Sequence, residues 1–247
     1  MIRVHIADGS KGGVGKSQSA HVLINYLSRN DKSIIVFETD TQIPDVARCI
    51  KNTDRKIRLE LADIRDDDGW QSMLETIQDI ALDPANNKAI SDIVLSLPGA
   101  DLDIKHYTDL VKILSDALNI QIWDWFVLNA QADSVSLLRE SIDSGFASIS
   151  TKKIAVKNGF FGKADNFVAF DSSKLSSKLD HVIYLPALST DSARKLRTES
   201  IVIDEVIEKA KMGLDGGRPD FLYSSNLLKW VSTVDKELDK VFNSGVN

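Results

Sequence analysis

Residues 10–17 read Ser10-Lys11-Gly12-Gly13-Val14-Gly15-Lys16-Ser17. Glycine at 12, 13 and 15 lets backbone N–H groups converge on an anion, because no Cβ blocks the approach. A lysine and a hydroxyl follow at once. Lys16 can reach the outer phosphates of a nucleotide, and the Ser17 hydroxyl can ligate Mg²⁺. A helix starting near Ser17 would add about half a positive charge at the same point. The expected chemistry is phosphate binding, with a nucleoside triphosphate and Mg²⁺ as ligands and ATP as the first choice of nucleotide.

Such a loop works between a strand and a helix, and the flanking sequence supplies both. Residues 2–7 form a short β-rich run ending at Asp8-Gly9, and Ala20, Leu23, Ile24 and Leu27 recur at helical spacing. A second apolar strand, residues 33–37, runs into Glu38-Thr39-Asp40. Further strands are expected over 57–62, 92–97, 123–128, 153–156 and 181–185. Helices are expected over 70–82, around Tyr107, Leu110, Val111, Leu114 and Leu118, and around Val135, Leu138 and Ile142. The rest reads as mainly helical, broken over 213–219. Alternating strands and helices predict an α/β fold: a mostly parallel sheet with helices on both faces. No repeat or domain boundary stands out, so residues 1–247 are expected to form one domain. The charged stretch 51–68 reads as a solvated excursion between sheet elements.

Composition narrows the class. The chain has 247 residues, 43% apolar and 27% charged, as in a soluble globular protein. Its net charge of −6 excludes binding to nucleic acid by bulk charge, so any DNA contact needs a local basic patch. The single cysteine, Cys49, allows no intrachain disulfide, which fits a cytoplasmic location. The four histidines have no metal-ligand spacing. No apolar stretch reaches membrane-spanning length, and the N-terminus does not read as a signal peptide.

The common phosphate-loop pattern has glycine five residues before Gly15, where this chain has Ser10. What stands instead, Lys11-Gly12-Gly13-Val14-Gly15-Lys16-Ser17, resembles the deviant Walker A loop of the ParA/MinD family of P-loop ATPases. The resemblance implies a single-domain P-loop NTPase that dimerises on binding ATP. Lys11 would reach the phosphates of the partner subunit. Lys11, Gly12, Gly13, Val14, Gly15, Lys16, Ser17 and Gln18 form the implied phosphate site. Asp40 matches the family acid that positions the attacking water and contacts the Mg²⁺ shell, which makes Lys11 and Asp40 the catalytic pair and Ser17 and Asp40 the metal contacts. A surface acid at a strand end is the plainer alternative for Asp40.

Three departures or weaker matches accompany this. Glu38 replaces the first aspartate of the family's Asp-x-Asp motif. In Ser91-Asp92-Ile93-Val94-Leu95-Ser96-Leu97-Pro98-Gly99, Ser96 stands where the Walker B aspartate is expected, with Asp101 or Asp103 as possible substitutes and Gly99 as the γ-phosphate sensor. Hydrolysis would then be slow, or binding alone would act as a switch. Asn158 resembles the asparagine that reads adenine, an edge an amide suits because it both donates and accepts; a turn asparagine before Gly159 is the other reading. Leu185-Pro186-Ala187-Leu188 resembles the loop flanking the base, giving Pro186 as a second base-side residue. Residues 59–65 and the helix containing Trp230 look most like ParA-like proteins that plasmids encode for stability or conjugal transfer.

Leu227, Val231, Val234, Leu238 and Val241 mark an amphipathic helix over about 224–243. It packs on the sheet, or it meets a partner. Its polar face mixes both charges, which argues against anionic lipid, so membrane binding is not expected. Lys152, Lys153, Lys157, Lys163, Lys174 and Lys178, with Arg194, Lys195 and Arg197, form either a DNA-facing patch or a solvated surface. The family's jobs imply a stimulating or cargo protein as partner. The leading expectation is an ATPase cycling between monomer and dimer. An ATP-dependent binding switch with little hydrolysis is the alternative, and a small-molecule ligase or reductase on the same fold is a third.

Overall fold

The computed structural model describes the chain except for residues 10, 11, 84, 86–88, 100–103, 214–217 and 245–247, and the side chains of residues 104–106. Seven strands, β1 (Arg3–Asp8), β2 (Ser33–Glu38), β3 (Ile57–Leu61), β4 (Ile90–Ser96), β5 (Gln121–Leu128), β6 (Lys152–Asn158) and β7 (His181–Leu185), form one sheet. Its order is β3-β2-β4-β1-β5-β6-β7, and each pairing is parallel. Parallel neighbours need crossover connections, which place helices over both faces. The inner strands are accordingly apolar on both sides: Ile34, Ile35, Val36 and Phe37 are all buried.

The helices are α1 (Lys16–Leu27), α2 (Asp45–Ile50), α3 (Asp67–Leu82), α4 (Ile104–Leu118), α5 (Ala132–Ser144), α6 (Phe146–Ile149), α7 (Val168–Ser172), α8 (Thr190–Leu196), α9 (Ile203–Met212) and α10 (Phe221–Phe242). Side chains alternate across each strand. Val36, Val94, Trp125, Val127 and Ile154 pack with α1, α9 and α10 on one face. Val4, Ile6, Phe37, Ile93 and Leu95 pack with α3 and α4 on the other. Phe126, Leu128 and Ala155 continue that second face beneath α5 and α7.

Two sequence expectations change. Residues 51–68 are not simply a solvated excursion. They contain β3, whose residues pair in register with β2 from Ile34↔Ile57 to Glu38↔Leu61. The strand expected over 57–62 is this β3, whose half-buried or exposed side chains carry the mixed polarity of a sheet edge. Helix α3 begins at Asp67, ahead of the apolar pattern starting at Trp70, because Asp66 caps it by accepting the Gly69 N–H.

The C-terminal helix packs on the sheet. Leu227, Val231, Val234, Leu238 and Val241 of α10 are buried in the α1-side core. Its last residue, Phe242, joins His5, Trp123 and Trp125 in an aromatic cluster and stacks on Tyr26 with centroids 5.1 Å apart. Polar contacts brace α1 against α9 and α10. Arg29 pairs with Asp204 and Asp235, both at 2.8 Å, and Tyr26 donates to Asp239 at 2.6 Å. The helix that begins at the phosphate loop is thus clamped at its far end.

Candidate functional site

Between β1 and β4 the chain runs out to one side of the sheet, and from β5 it builds the other side. Such a reversal opens a crevice at the carboxyl ends of the strands, where ligands bind in sheets of this kind. The glycine-rich loop lies there, following β1. Gly9, Gly13 and Gly15 have φ of 146°, 78° and 104°, which side chains rarely tolerate. Gly15 is the N-cap of α1 and brings no capping side chain, so the first-turn N–H groups face the loop unsatisfied by a cap. A Cβ on Gly15 would lie 2.2 Å from Asn158 Nδ2.

Lys16 heads α1 and is buried, its Nζ donating to the Gly9 carbonyl at 2.7 Å. Burial pushes its pKa down, opposed by the charges of Asp8 and Asp40. Ser17 and Gln18 are half-buried in the same turn, and Gln18 Nε2 is buried with no partner among the described residues. Lys11 and Ser10 lie outside the described residues.

The β2 side supplies the acids. Asp40 is half-buried and accepts the Ile43 N–H at 3.0 Å. Glu38 behaves differently from an acid aimed at a ligand. Its carboxylate accepts the N–H groups of Asp40, Val46 and Ala47 at 3.1, 2.9 and 3.3 Å, which caps α2. The extra methylene that glutamate has over aspartate gives it reach for this. Thr39 fastens the end of β2 to β4: its hydroxyl and its N–H both donate to the Ser96 carbonyl, at 2.6 and 3.2 Å. Thr41 is held by Asp63 at 3.0 Å, and Arg65 bonds both of them.

Ser96 is buried at the end of β4, in register with Ala7 and Glu38. It brings a hydroxyl and no charge to that position. A Cβ on Gly99 would come within 3.0 Å of Gly12 Cα, so the loop after β4 leans directly on the phosphate loop. Asp101 and Asp103 lie outside the described residues.

Asn158, at the carboxyl end of β6, faces the same loop. Its Nδ2 donates to the Val14 carbonyl at 2.7 Å and its Oδ1 accepts the Phe160 N–H at 3.0 Å. In this structure the amide braces the phosphate loop, with one N–H beyond those bonds to offer a base. Gly159 packs against the end of β7, where a Cβ would meet Leu185 O at 2.6 Å. The Pro186 carbonyl accepts the Trp230 indole N–H at 2.7 Å, so α10 holds the loop after β7.

Two buried acids were missed: Asp8 at the end of β1 and Asp124 within β5. The signal was there, a carboxylate inside Trp123-Asp124-Trp125, but alternation alone does not tell a buried acid from a solvent-facing one. Several of the basic residues have partners of their own. Lys152 donates to Val241 O, Lys153 to Ser150 O, and Lys157 pairs with Asp171. Arg194 and Lys195 pair with Asp191.

A triphosphate fits these residues: uncapped N–H groups, a lysine and left-handed glycines converge on one point. Among the described residues no group of three or more His, Cys, Asp or Glu could hold a metal. Among the described residues no helix is long and apolar enough to cross a membrane.

Comparison with known proteins gives the family and the fold. Residues 6–141, more than half of the chain, match the CobQ/CobB/MinD/ParA nucleotide binding domain. Protein MobD of Acidithiobacillus ferrooxidans is 28% identical over 178 residues, covering 72% of each chain. The fold is similar to the MinC:MinD cell division protein complex of Aquifex aeolicus, with 15% identity, a TM-score of 0.50 and 96% of both chains covered. It is also similar to an ATP complex of Cyanothece McdA, with 13% identity, a TM-score of 0.51 and 96% of both chains covered.

Proposed function

The chain belongs to the CobQ/CobB/MinD/ParA nucleotide-binding family, and we propose that it binds ATP with Mg²⁺ and couples the bound state to homodimerisation. One observation carries this reading: Gly13 and Gly15 hold left-handed backbone at the uncapped start of α1, with Lys16 beside them. The phosphates go to the loop N–H groups and Lys16, and the metal to Ser17 and Asp40. Bound Mg²⁺ would neutralise charge on the phosphate oxygens. Asp40 lies on the β2 side of the loop, where a carboxylate can orient a water. Lys11 is assigned to the partner's phosphates by resemblance. The family, the McdA complex with ATP and the MinC:MinD complex support a nucleotide-driven dimer that engages a second protein. Plasmid stability or conjugal transfer is the cellular role proposed.

Ser96 favours a second reading. An uncharged hydroxyl at the end of β4 gives weaker metal support than an aspartate, so the protein would act as a binding switch with little turnover. Sizing the protein without nucleotide, with ADP and with ATP tests the dimer: only ATP should double the mass. Lys11→Ala should still bind ATP yet stay monomeric, and dimerisation equal to wild type would remove its role across the subunits. Turnover decides between the two readings. A rate that falls at least about tenfold in Asp40→Ala supports the ATPase. ATP-driven dimers without turnover support the switch.

A further inference from the structure

Two acids sit beneath the phosphate loop on the α3–α7 face of the sheet. Asp124 is 0% exposed, and neither carboxylate oxygen has a hydrogen-bond partner among the described residues. It points to the α3–α7 side of β5, between Ile122 and Phe126. Its register partner on β1 is Ile6, so Asp8 is the next residue along the same face of the neighbouring strand. Asp8 is held on both oxygens: one accepts the Gly9 N–H at 2.6 Å, the other the Ser141 hydroxyl of α5 at 3.2 Å. The cations that act on the pair are Lys16 from α1 and Lys153 from β6. Lys16 donates to Gly9 O and Lys153 to Ser150 O.

Two neighbouring carboxylates out of water cannot both keep their charge without a bonded cation. Burial raises both pKa values, and the field of Asp8 pushes that of Asp124 further up. The bonds from Gly9 and Ser141 favour the ionised form of Asp8, so the proton rests on Asp124. Asp8 is also tied to the ligand site. It accepts the N–H of Gly9, whose carbonyl accepts Lys16.

We propose that Asp8 and Asp124 form a proton-holding carboxyl pair beneath the phosphate loop, and that loading the loop with a triphosphate makes the pair take up a further proton. This rests on the nucleotide reading above. A triphosphate draws the Lys16 ammonium toward its own oxygens and brings negative charge near Asp8. The ionised form of Asp8 loses its counter-charge and accepts a proton from solvent. Binding then strengthens as pH falls, by up to about tenfold per pH unit where a full proton is taken up. The window lies above the ordinary carboxyl value of 3.8, between Asp8's pKa in the empty and in the loaded protein.

Calorimetric titration of the full chain with ATP, at one pH in buffers of different ionisation enthalpy, counts the protons. Protonation of the γ-phosphate is common to all variants, so the difference between wild type and Asp8→Asn isolates the pair. Wild type should take up more protons than Asp8→Asn, and equal numbers overturn the coupling. Asp124→Asn gives a readout without ligand. A carboxyl raised in the folded state makes stability fall as pH rises from 3.8 through the folded value, because the unfolded chain gives up its proton first. Wild type should show this fall and Asp124→Asn should lack it; matching slopes overturn the proton-holding pair, even where Asp8→Asn does not fold. Should wild type bind neither ATP nor tripolyphosphate, the nucleotide reading fails and the coupling with it, and the stability comparison still decides where the proton sits.

Discussion

Gly15→Ala is expected to weaken triphosphate binding by roughly 10- to 100-fold while moving the melting temperature little. Two effects add. The residue sits at φ 104°, ψ 24°, where an L side chain is strained. Its Cβ would also lie 2.2 Å from Asn158 Nδ2. The amide can swing away, but only by giving up its bond to Val14 O at 2.7 Å, which helps hold the loop. In the empty protein the loop can relax. Binding requires the strained backbone, so the cost of about 1–3 kcal/mol falls on affinity. A double-mutant cycle with Asn158→Ala separates the two effects. Removing the amide relieves the clash and leaves the φ strain, so the double variant should recover only part of the affinity. Fluorescent-nucleotide titration reads both. Affinity within twofold of wild type in Gly15→Ala would show that the loop does not hold phosphate in this backbone.

The phosphate loop was legible because its chemistry is local. Glycine at 12, 13 and 15 and the Lys16-Ser17 pair state a backbone and a charge within six residues, needing only a strand before and a helix after. The acids around it were less legible. Asp40 and Glu38 look equivalent in sequence, two carboxylates at a strand end. In the structure Glu38 is turned to α2, accepting its first N–H groups, while Asp40 stays beside the loop. That choice depends on where α2 begins, which is a tertiary fact. Asn158 shows the same limit. An asparagine after a strand reads equally as a base contact or a turn, and its bond to Val14 O spans 144 residues.

The strands were legible both where they are buried on both faces and at the sheet edge. Ile34 to Phe37 can be little else than an inner strand. β3 pairs on one side only and carries Arg58 and Glu60, which pair with each other at 2.6 Å. Its polarity is that of an edge, and residues 57–62 still read as a strand within the charged stretch 51–68. Helix α10 was visible from its spacing, but its partner was not. The pattern at 227, 231, 234, 238 and 241 announces an apolar face without saying what covers it. The aromatic cluster of Trp123, Trp125 and Phe242 decides that, and those residues meet only once β5 and α10 are both in place.

Asp92→Ala is expected to destabilise the protein by about 3–5 kcal/mol and leave ATP affinity within a few-fold of wild type. Asp92 is fully buried at the start of β4. It accepts two bonds from Arg3, at 2.7 and 2.8 Å, and one from His5 at 2.8 Å. Trp125 donates its indole N–H to His5 Nδ1 at 3.1 Å, which fixes the tautomer: Nε2 carries the proton and gives it to Asp92. His5 stays neutral because burial pushes its pKa down against the pull of Asp92. Removing the carboxylate orphans a buried imidazole N–H and a guanidinium packed over Trp123 at 5.3 Å. Arg3 and Asp92 are register partners at the amino ends of β1 and β4, whereas the phosphate loop lies past the carboxyl ends. Folding and binding should therefore separate, with the melting temperature falling by about 6–20 °C. The pH dependence has a definite sign. Burial opposes the charged form of Asp92, but His5 and Arg3 outweigh it and leave its carboxyl below the ordinary 3.8. Its contribution is complete above that value and is lost as pH falls toward the folded one. Melting wild type and Asp92→Ala between neutral and acidic pH should show the two curves converging at the acid end; a constant gap would mean that packing, and not the ion pair, holds this end of the sheet.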